Sequence, residues 1–132
     1  MDKEEIRELV ESHLERLPLL YNWDVPVHID SQGTVYIGGR TTEKSLTGTT
    51  HFDIQIKGDI CYIMYVELEE QHRGQRHGET LYHIMEDIGR ELGCKRIITT
   101  PLGNTITGES RIRYLLRRGY GKRGQFEVQK EL

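Results

Sequence analysis

The fold is decided by residues 60–100, which read ICYIMYVELEEQHRGQRHGETLYHIMEDIGRELGCKRIITT. The first nine of these residues are almost continuously apolar, as in a central strand that is covered on both faces. Between about 77 and 92 the apolar residues recur every three or four positions, which predicts a helix, and Gly93 is placed to end it. A β-branched strand follows at Arg96–Thr100. Strand, glycine-containing loop, helix and strand make a βαβ unit whose two strands should run parallel.

The segment before this unit is predicted to contain one helix and three strands. The helix takes residues 6–17 on its apolar spacing and begins with a capping box. Strands are expected at 25–29 and 34–37, and the glycine pair 38–39 is expected to break the second. Residues 52–57 alternate strictly between apolar and polar side chains, and a short hairpin connects them to the central strand.

The segment after the unit is predicted to form a second helix near 109–118, ended by Gly119, and a last strand at Phe126–Val128. The resulting order is α-β-β-β-β-α-β-α-β. It predicts an α/β (or α+β) fold in which helices flank a mixed central sheet. A length of 132 residues fits one domain, 1–132.

Charge and composition restrict the class of protein. Residues 1–70 hold 14 acidic and 6 basic side chains, whereas residues 71–132 hold 7 acidic and 12 basic ones. A basic half suits an anionic ligand and an acidic half a cationic one, although chance clustering would give the same counts. There is no apolar run of the roughly 20 residues that cross a bilayer, and no signal peptide is expected. Cys61 and Cys94 form no CxxC pair and fit a reducing compartment, so we expect a cytoplasmic protein without a membrane partner.

The loop at residues 71–78, QHRGQRHG, is the most informative stretch for function. Glycines let the backbone approach a ligand closely, and the helix that follows offers unpaired N–H groups at the positive end of its dipole. With two arginines and no acid, this loop predicts an anion site suited to phosphates, although an ordinary tight turn would also explain the glycines. The chain lacks the P-loop, GxGxxG, HExxH and GxSxG signatures, and we expect no metal site.

Two motifs resemble those of a known family. Gln71-His72-Arg73-Gly74-Gln75-Arg76 fills the pattern Q/R-x-x-G-x-G/A, except that Arg76 stands where glycine or alanine is usual. The segment 114–120, reading YLLRRGY, is similar to a closing LYxxxGF helix. Both patterns, in this order around a βαβ unit, are those of the GNAT N-acetyltransferase superfamily. The resemblance covers roughly residues 50–122 and implies that the unit at about 60–100 binds the cofactor.

The resemblance also implies where acetyl-CoA, the co-substrate, would bind. The main chain at the end of the central strand would pair with the pantetheine arm. Backbone N–H groups of the loop and of the first helical turn would hold the pyrophosphate, and the loop arginines would add charge. An asparagine tends to precede the closing helix in the family. The cofactor-binding residues are therefore expected to be Val66, Glu67, Leu68, Arg73, Gly74, Gln75, Arg76, His77, Gly78, Glu79 and Asn104.

Acetyl transfer to an amine requires a base, because a lysine-like amine with a pKa of about 10.4 is protonated at neutral pH. Glu67, beside the cofactor motif, is the best candidate for this base; the plainer interpretation is a solvent-facing strand residue. The resemblance implies a tyrosine that protonates the departing thiolate. Leu115 occupies the family position of that tyrosine, so Tyr114 or Tyr120 is expected to serve instead.

These expectations predict an acetyl-CoA-dependent N-acetyltransferase. It would transfer the acetyl group to a primary amine of a small molecule or protein by direct attack in a ternary complex. The first alternative is a GNAT-like domain that binds acyl-CoA without turnover. The second is a nucleic-acid-binding module that uses the basic side chains around the last helix, namely Arg111, Arg113, Arg117, Arg118, Lys122 and Arg123. The acceptor is not identified, and exposed edge strands could support a homodimer.

Overall fold

Eight strands form one mixed sheet in the computed structural model, which describes residues 1–17, 22–42, 50–68, 77–101, 103 and 109–132. The strands are β1 (Trp23–Asp24), β2 (Val27–Ile29), β3 (Val35–Thr41), β4 (His51–Lys57), β5 (Ile60–Glu67), β6 (Arg96–Thr99), β7 (Gly121–Lys122) and β8 (Val128–Glu131). The helices in these residues are α1 (Lys3–Leu14), α2 (His77–Glu91) and α3 (Arg111–Arg117).

The strand order confirms the predicted fold class. Along the sheet it is β1-β3-β4-β5-β6-β8-β7, and β2 also pairs with β3. Strands β5 and β6 are parallel and are joined through α2, whereas every other pairing in the described residues is antiparallel. The predicted βαβ unit and the central position of β5 are therefore correct.

Helices α1 and α2 cover one face of the sheet. The capping box of α1 is present, since Asp2 and Glu5 exchange side-chain and backbone hydrogen bonds. Gly93 follows α2 with a φ of +86°, the conformation expected of a glycine that ends a helix. The sheet and α2 both contribute large, fully buried side chains to the core. The strands contribute Ile37, Phe52, Ile54 and Ile97, and α2 contributes Leu81, Ile84, Met85 and Ile88.

The glycine pair 38–39 does not break its strand, contrary to the prediction. Strand β3 continues through both glycines to Thr41 because the glycines allow close packing. A Cβ on Gly39 would lie 2.1 Å from Cε1 of Phe52, whose side chain is fully buried. The glycine thus makes room for an aromatic ring of the neighbouring strand.

The predictions for the outer strands were wrong in their boundaries. The predicted 25–29 strand begins only at Val27, as β2, and the unpredicted β1 (Trp23–Asp24) precedes it; Pro26, which has no N–H for the ladder, lies between the two. The last strand, β8, begins only at Val128 and leaves Phe126 59% exposed. Lys130 is charged and was not predicted to belong to a strand. It lies on β8, where its ammonium group is 3.0 Å from the carboxylate of buried Glu86.

Candidate functional site

An opening between two parallel strands lies at the centre of the sheet. The pairing of β5 with β6 ends at Ile63 and Thr99, where the Thr99 hydroxyl donates to the Ile63 carbonyl over 3.5 Å. On its other side β5 stays paired with β4 as far as Glu67, which lies opposite His51. The backbone from 64 to 67 therefore continues beyond the last rung with β6. It contains Val66 and Glu67, two of the three residues that were predicted to pair with pantetheine; the third, Leu68, follows directly.

A β-bulge at Met64 sets the orientation of this segment. Ile63 lies opposite Ile54 and Tyr65 lies opposite Asp53, so Met64 is an extra residue in the ladder. After the bulge, Val66 packs against the core, whereas Met64 and Tyr65 are 56% and 45% exposed on the opposite face. The apolar sequence of the central strand predicted that both of its faces are covered. This prediction is wrong, because Met64 and Tyr65 are exposed on one face.

Arg111, at the start of α3, reaches into the opening. Its guanidinium donates to the backbone carbonyl of Val66 over 3.2 Å. Burial raises the pKa of Tyr82 on α2, and the nearby Arg111 side chain acts in the opposite direction. From its sequence position Arg111 was predicted only to be part of a basic surface, and Tyr82 was not predicted as a site residue.

The start of α2 lies next to the end of β5. The position that a Cβ on Gly78 would take is 4.0 Å from Cδ2 of Leu68, so these two predicted cofactor-binding residues are neighbours. His77 is buried and Glu79 lies in the first turn, where backbone N–H groups have no partner within the helix. The remaining predicted contacts, Arg73, Gly74, Gln75, Arg76 and Asn104, lie outside the described residues.

Tyr114 lies beside this helix start. Its ring is 6.2 Å from that of Tyr82, and the Arg118 guanidinium lies 5.6 Å from its centroid. Arg118 in turn forms an ion pair of 3.0 Å with Glu79. Burial and the negative charge of Glu79 raise the pKa of Tyr114 above its ordinary value. These effects outweigh the positive charge of Arg118, which lowers it. Its hydroxyl is therefore protonated at neutral pH, as a proton donor requires.

Tyr120 belongs to a different environment. Its hydroxyl donates to the buried carboxylate of Glu86 over 2.7 Å, and Lys130 binds the other carboxylate oxygen. Burial and this carboxylate raise the pKa of Tyr120. These contacts tie α2 to the C-terminal strand, so they describe a structural role for Tyr120.

Glu67 belongs to a polar cluster on the face opposite the helices. The hydroxyl of Tyr65 donates to its carboxylate, and this hydrogen bond is the main cause of the raised pKa of Tyr65. Across the ladder, His51 Nε2 lies 3.0 Å from Asp53 Oδ2, and the His51 ring is 5.1 Å from that of Tyr65. His51 and Asp53 were not predicted as site residues, although the alternation of β4 already placed them on one face.

Within the described residues, three of the six basic side chains around α3 are paired with acids. Arg117 Nε donates to Glu109 over 2.8 Å, Arg118 pairs with Glu79, and Arg123 lies 3.3 Å from Glu127. Such pairing reduces the positive field that binding to nucleic-acid phosphates requires.

Both cysteines are buried. Burial raises the pKa of the Cys61 thiol and raises that of Cys94 to about 11. Both thiols are therefore neutral and weakly nucleophilic at pH 7. Among the residues with described positions, no three His, Cys, Asp or Glu side chains are grouped as a metal site would need, and none of the helices could cross a membrane.

Comparison with known proteins identifies the family. The model of the acetyltransferase (GNAT) family matches residues 1–123, so the chain belongs to that family. No curated protein matched the sequence. The resemblance found in the sequence is thereby confirmed.

Solved structures share the fold at low identity. A protein of Klebsiella pneumoniae subsp. pneumoniae MGH 78578, assigned as an acyl-CoA N-acyltransferase, has 20% identity and a TM-score of 0.55, over 98% of this chain and 88% of that one. An acetyltransferase from Bacillus cereus ATCC 14579 has 16% identity and a TM-score of 0.51, over 98% and 90%. The PaiA N-acetyltransferase of Thermoplasma acidophilum, in complex with coenzyme A, has 12% identity and a TM-score of 0.52, over 75% and 61%.

Proposed function

We propose that this protein is an acetyl-CoA-dependent N-acetyltransferase that acts on a primary amine. The observation that carries the proposal is the opening beyond Ile63 and Thr99, which adjoins the start of α2 through Leu68 and Gly78. A linear thiol ester with a diphosphate at its far end fits this arrangement. Its amide-bearing arm would run along the edge of β5 beyond Ile63, and its phosphates would lie at the N-terminus of α2.

In the proposed reaction, the amine nitrogen attacks the acetyl carbonyl carbon. An N–C bond forms, the C–S bond breaks, and the electron pair of that bond leaves on sulfur. Glu67 accepts the proton that the amine loses, and Tyr114 donates a proton to the thiolate. Tyr114 is the better of the two tyrosine candidates because the hydroxyl of Tyr120 is held by Glu86. Direct attack is favoured over a cysteine intermediate because both thiols are buried and neutral.

A thiol ester needs only modest assistance from an acid. The pKa of a free thiol is about 8.5, so the thiolate is a good leaving group near neutral pH. The presence of buried Leu115 at the family position of the tyrosine is therefore compatible with turnover.

The proposal is tested by calorimetry with acetyl-CoA, followed by an assay of thiol release over a panel of primary amines. We expect micromolar to millimolar binding and amine-dependent release of thiol. The variant Arg73→Ala should weaken acetyl-CoA binding more than Arg90→Ala, whose side chain pairs with Asp87 on the outer surface of α2. Equal effects of the two variants would contradict the loop assignment. Binding without turnover on any amine would support the non-catalytic alternative, and the absence of binding would reject both.

A further inference from the structure

A cleft of about 310 Å³ lies on the face of the sheet opposite α1 and α2. The side chains of His28, Tyr36 and Asp53 project into it from β2, β3 and β4, alternating with residues of the core. The bulge residue Met64 closes the side towards β5. The volume is at the lower end of the range for ligand sites, which suits a small molecule.

The cleft exists because residue 38 is glycine. A Cβ at this position would lie 3.0 Å from Oδ1 of Asp53 and 3.2 Å from Cγ of Pro26. Any side chain would therefore fill the floor between these two walls. The glycine lets the Pro26 ring and the Asp53 carboxylate lie close to the backbone at the floor of the cleft.

Asp53 uses its two carboxylate oxygens differently. Oδ2 lies 3.0 Å from His51 Nε2, which fixes the orientation of the carboxylate. Oδ1 faces the floor of the cleft at Gly38. With 47% of its side chain exposed, Asp53 can pair with a cation that enters from solvent.

The other walls favour a ligand with an apolar body. The rings of His28 and Tyr36 are 5.8 Å apart, and the thioether of Met64 is exposed beside them. Aromatic faces also attract cations. The Tyr36 hydroxyl donates to Asp30 over 3.2 Å, which places a second negative charge nearby. An anionic ligand would be repelled by both carboxylates.

We infer that this cleft binds the acyl acceptor, and that the acceptor is a small amine carried on an apolar or aromatic group. Its ammonium group pairs with Oδ1 of Asp53, and its apolar part lies against His28, Tyr36 and Met64. The inference rests on the proposed function. It fits that function because Met64, which lines the cleft, belongs to β5, the strand whose other edge borders the opening at Val66.

The test is a titration of ¹⁵N-labelled protein with 2-phenylethylamine, followed by NMR. We expect the largest shifts at the amides of residues 38, 53 and 64. The neutral analogue 2-phenylethanol should bind at least tenfold more weakly, and the anion 3-phenylpropanoate should not bind. Equal affinity for the three probes, shifts that map elsewhere, or no binding of the amine would overturn the inference.

Two variants test the carboxylate and the floor separately. Asp53→Asn should weaken binding of the amine at least tenfold and leave binding of the alcohol unchanged. Gly38→Ala should weaken binding of both probes. Asp59→Asn, on the hairpin at the other end of β4, is the matched control and should change neither affinity. An effect of Asp59→Asn equal to that of Asp53→Asn would show non-specific electrostatics and reject the site.

The titration needs no acetyl-CoA, so its outcome is independent of the proposed function. Amine binding at the cleft in a protein that does not bind acetyl-CoA would overturn the proposed function, and with it the role of the amine as an acceptor. Turnover of amines with NMR shifts outside the cleft would overturn the inference alone.

Discussion

The guanidinium of Arg111 donates a hydrogen bond of 3.2 Å to the backbone carbonyl of Val66, at the point where β5 has left β6. This carbonyl belongs to the edge along which the pantetheine arm is proposed to run. A pantetheine amide that paired with it would therefore compete with Arg111.

Arg111→Ala should strengthen the binding of pantetheine, which has no phosphate for an arginine to attract. A single hydrogen bond contributes about 0.5–1.5 kcal/mol, so we expect a roughly two- to tenfold lower dissociation constant by calorimetry. Arg113→Ala, two residues further along α3 and exposed, should leave pantetheine binding unchanged. Weaker binding in Arg111→Ala would show that Arg111 contacts the arm instead of competing with it.

Tyr114→Phe should lower kcat while leaving the free energy of unfolding nearly unchanged. We expect about a tenfold loss, below the range of roughly 10²–10⁴ that is typical of an acid catalyst, because a thiolate leaves readily. The thiol-release assay measures this effect with the best amine of the panel. An unchanged kcat would remove Tyr114 from the mechanism.

Tyr120→Phe should show the opposite pattern. It leaves buried Glu86 without the hydrogen bond of 2.7 Å, so the free energy of unfolding should fall by about 1–3 kcal/mol. Urea titration monitored by circular dichroism measures this loss. The kcat of the folded variant should match that of the wild type, and a large fall in kcat without loss of stability would instead support a catalytic Tyr120.

Gly39→Ala should destabilise the protein. The new Cβ would lie 2.1 Å from Cε1 of Phe52, whose buried ring has little room to move, and overpacking of this kind costs about 1–3 kcal/mol. Gly124→Ala is the control, since a Cβ there meets nothing within 4 Å. Equal urea midpoints for the two variants would contradict the close packing of β3 on Phe52.

The ion pairs of Asp87 should make stability depend on pH. Partial burial acts to raise the pKa of Asp87, but hydrogen bonds and charge from Arg16 and Arg90 outweigh it, so the pKa lies below its ordinary value of 3.8. The ionised carboxylate therefore stabilises the fold at pH values above its pKa in the unfolded chain. This contribution is lost as the pH falls through the lower pKa of the folded state.

Asp87→Asn should accordingly lower the free energy of unfolding at pH 7 by about 0.5 kcal/mol, a typical value for exposed pairs. The difference between variant and wild type should shrink as the pH falls below 3.8 and through the lower pKa of Asp87 in the folded state. Added salt at pH 7 should also reduce it. A difference that is constant from pH 7 to pH 2 would contradict the assignment.

Features that depend on local sequence could be predicted. The spacing of apolar residues gave α2, and the parallel β5–β6 pair followed from the connection through that helix. The capping box of α1 needs only Asp2 and Glu5, which are three positions apart. The helical turn before Gly119 likewise depends on nearby residues.

Features that depend on distant residues could not be predicted in this way. Gly39 looks like a strand breaker until its neighbour Phe52 is known, and the hydrogen bond from Arg111 to Val66 joins residues 45 positions apart. The alternation of β4 places His51 and Asp53 on one face, but only the register of β4 with β5 shows that they lie beside Tyr65 and Glu67.

The extra residue at Met64 has a consequence for how this strand can change through evolution. Cys61 and Ile63 face the helices, and unbroken alternation would turn Tyr65 and Glu67 to that same side. Deleting Met64 would remove the bulge and leave Tyr65, Val66 and Glu67 opposite the same residues of β4, on their present faces. The strand should therefore tolerate the loss of this one residue, whereas a bulge-free strand of the present length would bury the carboxylate of Glu67 and expose Val66.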